Sequence, residues 1–171
     1  AQIEVLDDFD KACRENGLEY FADWGTMLGA VRHGGFIPWD DDIDVCMKRP
    51  DYDKLNKIAK SILPQNYDIF SIYSDGDNDN MVTRIINSRT ISFEKYHGFP
   101  YIAGIDIFPF DYVAPTDEEL EFQKEIIGIV ESVKLLIRKL NSNDIQGKNR
   151  EDLEQEIEDY IQGIEKICAV T

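Results

Sequence analysis

Apolar residues recur along this chain in two rhythms, and the shift between them divides it. Between residues 3 and 16, Ile3, Leu6, Phe9 and Cys13 fall at helical spacing, and Gly17 supplies a stop. Leu18, Tyr20 and Ala22 alternate with more polar neighbours, the period-two mark of a short strand. Gly25-Thr26 opens a short apolar segment, 27–31, that closes at Gly34-Gly35, which predicts a turn, a short helix and a glycine stop. Alternation predicts a strand over 42–47. A helix follows over 50–63, with Pro50 at its start and Tyr52, Leu55, Ile58, Ala59 and Ile62 on one face. Strands are expected at 68–73 and 104–110, a loop at 75–80, and a hairpin pairing 81–87 with 90–96 across Ser88-Arg89.

Past residue 114 the rhythm is helical only. Thr116 and Glu119 have capping-box spacing ahead of a helix running toward Asn141. A polar break with Gly147 precedes a last helix over 150–168, with Leu153, Ile157, Ile161 and Ile164 facing inward. The expected fold class is therefore α/β (α+β): a mixed sheet flanked by helices over 1–113, then a helical extension over 114–171. A chain of 171 residues has room for one ordinary domain with a real core.

Charge narrows the partners. The formal net charge is −16, with 34 acidic against 18 basic side chains. Phosphate contacts need Lys and Arg, so no nucleic acid partner is expected. A small phosphate ester remains within reach if cations mediate. The acid runs at 118–125 and 151–159 read as solvated helix faces. No window approaches the ~18 consecutive apolar residues of a membrane span, and no secretory pattern is visible. A cytoplasmic protein without a transmembrane segment is expected. Cys13, Cys46 and Cys168 have no paired spacing and fit reduced thiols better than a disulfide or zinc framework.

The candidate chemistry lies in the acids. Residues two apart in a strand share a face, with roughly 6.6–7 Å between their Cα atoms. On a strand over 42–47, Asp42 and Asp44 therefore converge and can bridge divalent cations such as Mg²⁺, which favour oxygen ligands. The bland alternative is a polar loop followed by an edge strand. Three features favour the metal reading. Asp is depleted in strands, yet Asp44 sits between Ile43 and Val45. Asp106 repeats the anomaly between Ile105 and Ile107. Gly25-Thr26 stands at a helix start, where backbone N–H groups hold phosphate oxygens.

Other residues stay open between two roles. Arg32 and His33 either touch a bound donor or close a helix as dipole partners. Arg84 either ligates a phosphate bidentately or forms a cross-strand salt bridge. Lys48 and Arg49 more often balance nearby acids. Trp24, Trp39 and Phe108 are stacking candidates, though such aromatics are more often core. Asp40 and Asp41 are placed outside the ligand set, as assisting groups.

The run Trp24-Gly25-Thr26-Met27-Leu28-Gly29-Ala30-Val31-Arg32-His33-Gly34-Gly35-Phe36-Ile37-Pro38-Trp39-Asp40-Asp41-Asp42-Ile43-Asp44-Val45 closely resembles the LicD family. These are bacterial phosphotransferases related to the fukutin-type ribitol-phosphate transferases. The resemblance covers about residues 6–113, with Asp106-Ile107-Phe108-Pro109 continuing it. It implies a nucleotidyltransferase-like fold and Mg²⁺- or Mn²⁺-dependent transfer of a phospho-alcohol, such as phosphocholine, from a CDP-activated donor to a hydroxyl of a cell-surface glycan. By position, Gly25 and Thr26 stand where the superfamily's Gly-Ser-type motif holds donor phosphates. Asp42 and Asp44 match its metal-binding pair, and Asp106 looks like the third acid, also placed to take the acceptor's proton. With a lipid-linked acceptor, the protein would work peripherally at the inner membrane face. Family members usually continue with a Tyr-Gly-Asp-like stretch and a Pro-Pro pair, so the extension is expected to be incomplete relative to them. Two alternatives remain: transfer of NMP from an NTP by the same acids, or nucleotide binding without turnover. The stretch 32–39 favours the LicD-like reading.

Overall fold

Helix α1 (Gln2–Asn16) of the computed structural model buries Val5, Phe9, Ala12 and Cys13. The structure describes residues 2–74, 82–92, 100–142 and 149–168. The loop expected at 75–80, the hairpin positions 81 and 93–96, and the break at Gly147 lie outside these residues. Val5, not Ile3, sits one turn before Phe9 in the buried stripe, and Ile3 is 56% exposed. Gly17 ends the helix with φ at 60°, the left-handed conformation that glycine adopts freely. The N–H of Leu18 returns to Cys13 O and that of Gly17 to Arg14 O, a Schellman closure. Leu18 thus finishes the cap, and β1 (Phe21–Ala22) is shorter than the expected strand over 18–22.

Helix α2 (Trp24–His33) starts earlier than expected, because the Asp23 carboxylate caps it, accepting from Trp24 N. Gly34 closes it with φ at 67°. Strand β2 (Asp44–Lys48) leads directly into α3 (Arg49–Ile62), whose Pro50 occupies the first turn. The expected strand over 42–47 is corrected here: Asp42 precedes the strand, so period-two alternation does not pair it with Asp44. Strand β3 (Tyr67–Phe70) follows, also shorter than 68–73.

Strand β4 (Thr83–Ser92) replaces the expected hairpin. Ser88-Arg89 is not a turn: the strand runs through it, and the register against β5 (Pro100–Phe110) shifts between Ile86 and Thr90. Such an irregularity absorbs turn-like residues without reversing the chain.

The five strands form one sheet in the order β1-β2-β5-β4-β3. Only β2 and β5 are parallel; the other neighbours are antiparallel. This mixed α/β architecture agrees with the sequence. Ile43, Val45, Met47, Ile85, Ile105 and Ile107 pack with Phe9, Tyr52 and Leu55 from α1 and α3 in one core. Because strand side chains alternate, Asp44, Arg84 and Asp106 point to the opposite face of the sheet.

The chain divides into two compact units, Ala1–Asp111 and Tyr112–Thr171. The second holds α4 (Asp117–Ser142) and α5 (Arg150–Cys168). The capping box forms as expected: Thr116 Oγ1 accepts from Glu119 N at 3.3 Å and donates to its carboxylate at 2.7 Å. Asn149 caps α5 through Asp152 N. Leu136, Leu140, Leu153 and Ile157 pack together, whereas Ile161 is exposed and not inward as expected. No helix among the described residues is long and apolar enough to cross a membrane.

Candidate functional site

Glycine spacing on α2 shapes the site. A Cβ on Gly29 would lie 2.5 Å from Gly35 O and 3.1 Å from Ile37 N, so the chain after the helix folds back onto its surface. One turn earlier, a Cβ on Gly25 would collide with the Asp40 carboxylate. Two glycines four apart thus open a lane along one face of α2. The returning chain uses it to bring Asp40 to the N-terminal turn of the helix, where the macrodipole favours negative charge.

Two hydrogen bonds join that turn to β2. Asp44 O accepts from Asp23 N at 3.0 Å, and Asp44 N donates to Thr26 Oγ1 at 2.9 Å. Thr26 therefore fixes where the strand begins, and its own hydroxyl hydrogen remains to be donated elsewhere. Trp24, between these two anchors, has φ at 43° and is 65% exposed. A bulky residue there carries strain of roughly 1–3 kcal/mol.

Across the sheet, register does what alternation within one strand does not. Asp44 lies opposite Asp106 on β5, and Asp106 lies opposite Arg84 on β4. Asp106 N also donates to Ile43 O at 2.9 Å, which carries the ladder one residue toward Asp42. Neighbouring strands are about 4.8 Å apart, so acid, acid and arginine form one short row on one face.

The electrostatics follow from that crowding. Asp44 is pushed up to about 6, first by burial, then by Asp42 and Asp106. Asp42 is raised by burial, by a hydrogen bond with the Asp40 carboxyl, and by repulsion from Asp40, Asp41 and Asp106. Burial raises Asp106 too, while Arg84 acts against the rise. The Arg84 Nε lies 3.5 Å from Asp106 Oδ1. Carboxyl oxygens of Asp40, Asp41 and Asp42 all fall within 4.8 Å of one another. Carboxylates crowded together in this way, with Asp42 and Asp44 each repelled by neighbouring acids, are chemically suited to a hard divalent cation with oxygen ligands.

The sequence-predicted residues separate into two groups. Gly25, Thr26, Asp42, Asp44, Asp106 and Arg84 come together at the start of α2 and across the row. Arg32 and His33 do not: they sit at the other end of α2, about 10 Å or more along its axis from Gly25. Both are exposed, with Arg32 Nε donating to His33 Nδ1 at 3.3 Å and His33 edge-on to Trp39. Lys48 pairs with Glu19, and Arg49 with Asp111, so these cations balance other acids. Trp24 and Trp39 are exposed rather than core. The sequence reading undervalued Asp40, and also Asp23, which adds to burial in raising Asp44 and the Cys46 thiol. The legible signal for Asp40 was the glycine pair at 25 and 29.

Comparison with known proteins adds a lineage. The profile of the LicD/FKTN/FKRP nucleotidyltransferase domain matches residues 17–140. The lipopolysaccharide cholinephosphotransferase LicD of Haemophilus influenzae is 48% identical over 52 residues, 30% of this chain and 20% of that protein. The human and mouse ribitol 5-phosphate transferase FKRP are each 52% identical over 29 residues, 17% of this chain and 6% of theirs. The chain thus matches about a fifth or less of the length of these relatives. No solved structure matches it.

Proposed function

The chain belongs to the LicD/FKTN/FKRP nucleotidyltransferase-domain family, and from that premise we propose that it transfers a phospho-alcohol from a CDP-activated donor to a glycan hydroxyl. The observation that carries this reading is the row of Asp44 and Asp106 beside Asp42, abutting the N-terminal turn of α2. In this reading Asp42, Asp44 and Asp106 hold Mg²⁺ or Mn²⁺, with Asp40 and Asp41 near enough to assist. Once bound, the cation neutralises the donor's diphosphate and the charge developing on the leaving CMP. The oxygen-only donor set supports a hard cation over zinc.

The chain's own groups then position the reactants. Backbone N–H groups at Gly25 and Thr26, with the Thr26 hydroxyl, receive donor phosphate oxygens at the positive end of the helix. The acceptor hydroxyl attacks the alcohol-bearing phosphorus in line. Its O–P bond forms as the P–O bond to CMP breaks, and in this reading its proton passes to the Asp106 carboxylate. Arg32 and His33, a helix length away, contact the outer part of the donor or the acceptor. A phosphocholine donor and a lipid-linked glycan acceptor at the inner membrane face are the family-based choices.

The test is product identity. With Mn²⁺, a CDP-alcohol and a glycan acceptor, the protein releases CMP, and Asp42→Asn with Asp44→Asn abolishes release. Pyrophosphate release from CTP or UTP would instead assign nucleotidyl transfer. A first screen is thermal: a donor at ~100 times its dissociation constant adds about 2.7 kcal/mol of stability. A folded protein with no metal-dependent shift for any CDP-alcohol refutes the donor site.

A further inference from the structure

We propose that Arg84 couples metal entry to donor capture: it neutralises Asp106 while that acid is bare, and turns to the donor's diphosphate once a cation takes the acid over. This rests on the phosphotransferase reading and assigns the order in which its ligands enter.

The backbone of Arg84 is held on both sides. Thr83 is fully buried, its hydroxyl donating to Asn56 Oδ1 at 2.9 Å and lying 2.8 Å from the Tyr52 hydroxyl. Ile85 is fully buried in the core, and the missing side chain of Gly104 lets β5 approach it closely. The side chain, in contrast, lies on the open face and is 42% exposed. Its 3.5 Å separation from Asp106 is an ion pair too long for a good hydrogen bond. A partly exposed pair of that geometry is weak. A planar guanidinium gains more from a bidentate phosphate contact.

Charge order on the row explains why the exchange has a direction. Asp106 stands between Asp44 and Arg84 in register, so a cation held by the two acids would share the Asp106 carboxylate with the arginine. It then competes with the guanidinium for the same carboxylate. The displaced guanidinium would stay anchored one strand spacing from Asp106, within reach of a diphosphate held beside that acid. Metal and donor therefore reinforce one another, and Arg84 carries part of that coupling.

Two affinities in Arg84→Gln test this, with Arg84→Lys beside it. Free Mn²⁺ is titrated by electron paramagnetic resonance without nucleotide, and CDP-choline by calorimetry at saturating Mn²⁺. Loss of the competing charge should tighten Mn²⁺ alone by about two- to fivefold. Loss of the fork should weaken CDP-choline by about ten- to a hundredfold. Arg84→Lys, which keeps the charge but not the fork, should restore the Mn²⁺ affinity and only part of the donor affinity. Opposite signs in one variant support the exchange, since a merely structural ion pair moves the donor term little. Unchanged donor affinity, or weaker binding of both ligands in a variant with a normal melting curve, overturns it while the functional reading stands. A wild-type protein that takes up no Mn²⁺ overturns both.

Discussion

Asp44→Asn should make the metal-free protein more stable, although it removes a residue assigned to the site. Asp44 is pushed from the ordinary 3.8 to about 6. The raised value means that the fold disfavours its charge. Stability is therefore lost as pH rises from 3.8 to 6, and the loss is complete above 6. The full displacement corresponds to about 3 kcal/mol at neutral pH. Asp44 is only half-buried, and solvent screening reduces this to roughly 1 kcal/mol. An uncharged isostere escapes the loss. Asp44→Asn should then melt about 2–4 °C higher than wild type at pH 7.5 in chelator, with a gain near zero at pH 4, where the aspartate is itself protonated. Saturating Mn²⁺ should reverse the order, because the wild type gains cation binding that the variant lacks. Differential scanning calorimetry at both pH values, with EDTA and with Mn²⁺, measures all four states. A variant less stable than wild type at pH 7.5 in EDTA, or a gain equal at both pH values, refutes the argument from crowded carboxylates.

Further predictions address local packing, hydrogen bonding and burial. Gly29→Ala should destabilise the protein by about 1–3 kcal/mol, because its Cβ meets backbone at Gly35 and Ile37. Gly128→Ala on α4, with open space around it, should be neutral or stabilise by up to ~1 kcal/mol; urea unfolding compares the two. Thr26→Val should cost about 1–3 kcal/mol by orphaning Asp44 N, whereas Thr26→Ser keeps the acceptor; the same unfolding series separates them. Cys13 is pushed up to about 12, chiefly by burial. At pH 8 it should react with iodoacetamide far more slowly than in the urea-unfolded chain, as peptide mass spectrometry would read.

Local features were the legible part of this molecule. The stops at Gly17 and Gly34, the Thr116 box and the stripe on α3 each depend on residues within a few positions, and each forms. Two local inferences failed because distant chain overrode them. Ser88-Arg89 reads as a turn in one dimension, but pairing with β5 continues through it. Asp42 reads as a strand residue by alternation, but the lane along Gly25 and Gly29 turns the chain before the strand can start. The acids still gather, for a reason that alternation did not contain. Asp44 and Asp106 meet by the register of a parallel pair separated by about sixty residues of sequence, and no periodicity encodes that register. What the sequence does carry is the anomaly each acid presents: a charge set between two β-branched core residues, which only a partner across the sheet or a cation makes tolerable. The same anomaly occurs at Arg84, between Thr83 and Ile85, and its register partner is Asp106. Three misplaced charges on three strands are thus visible one by one in the sequence, but only the register of the folded sheet brings them into one row.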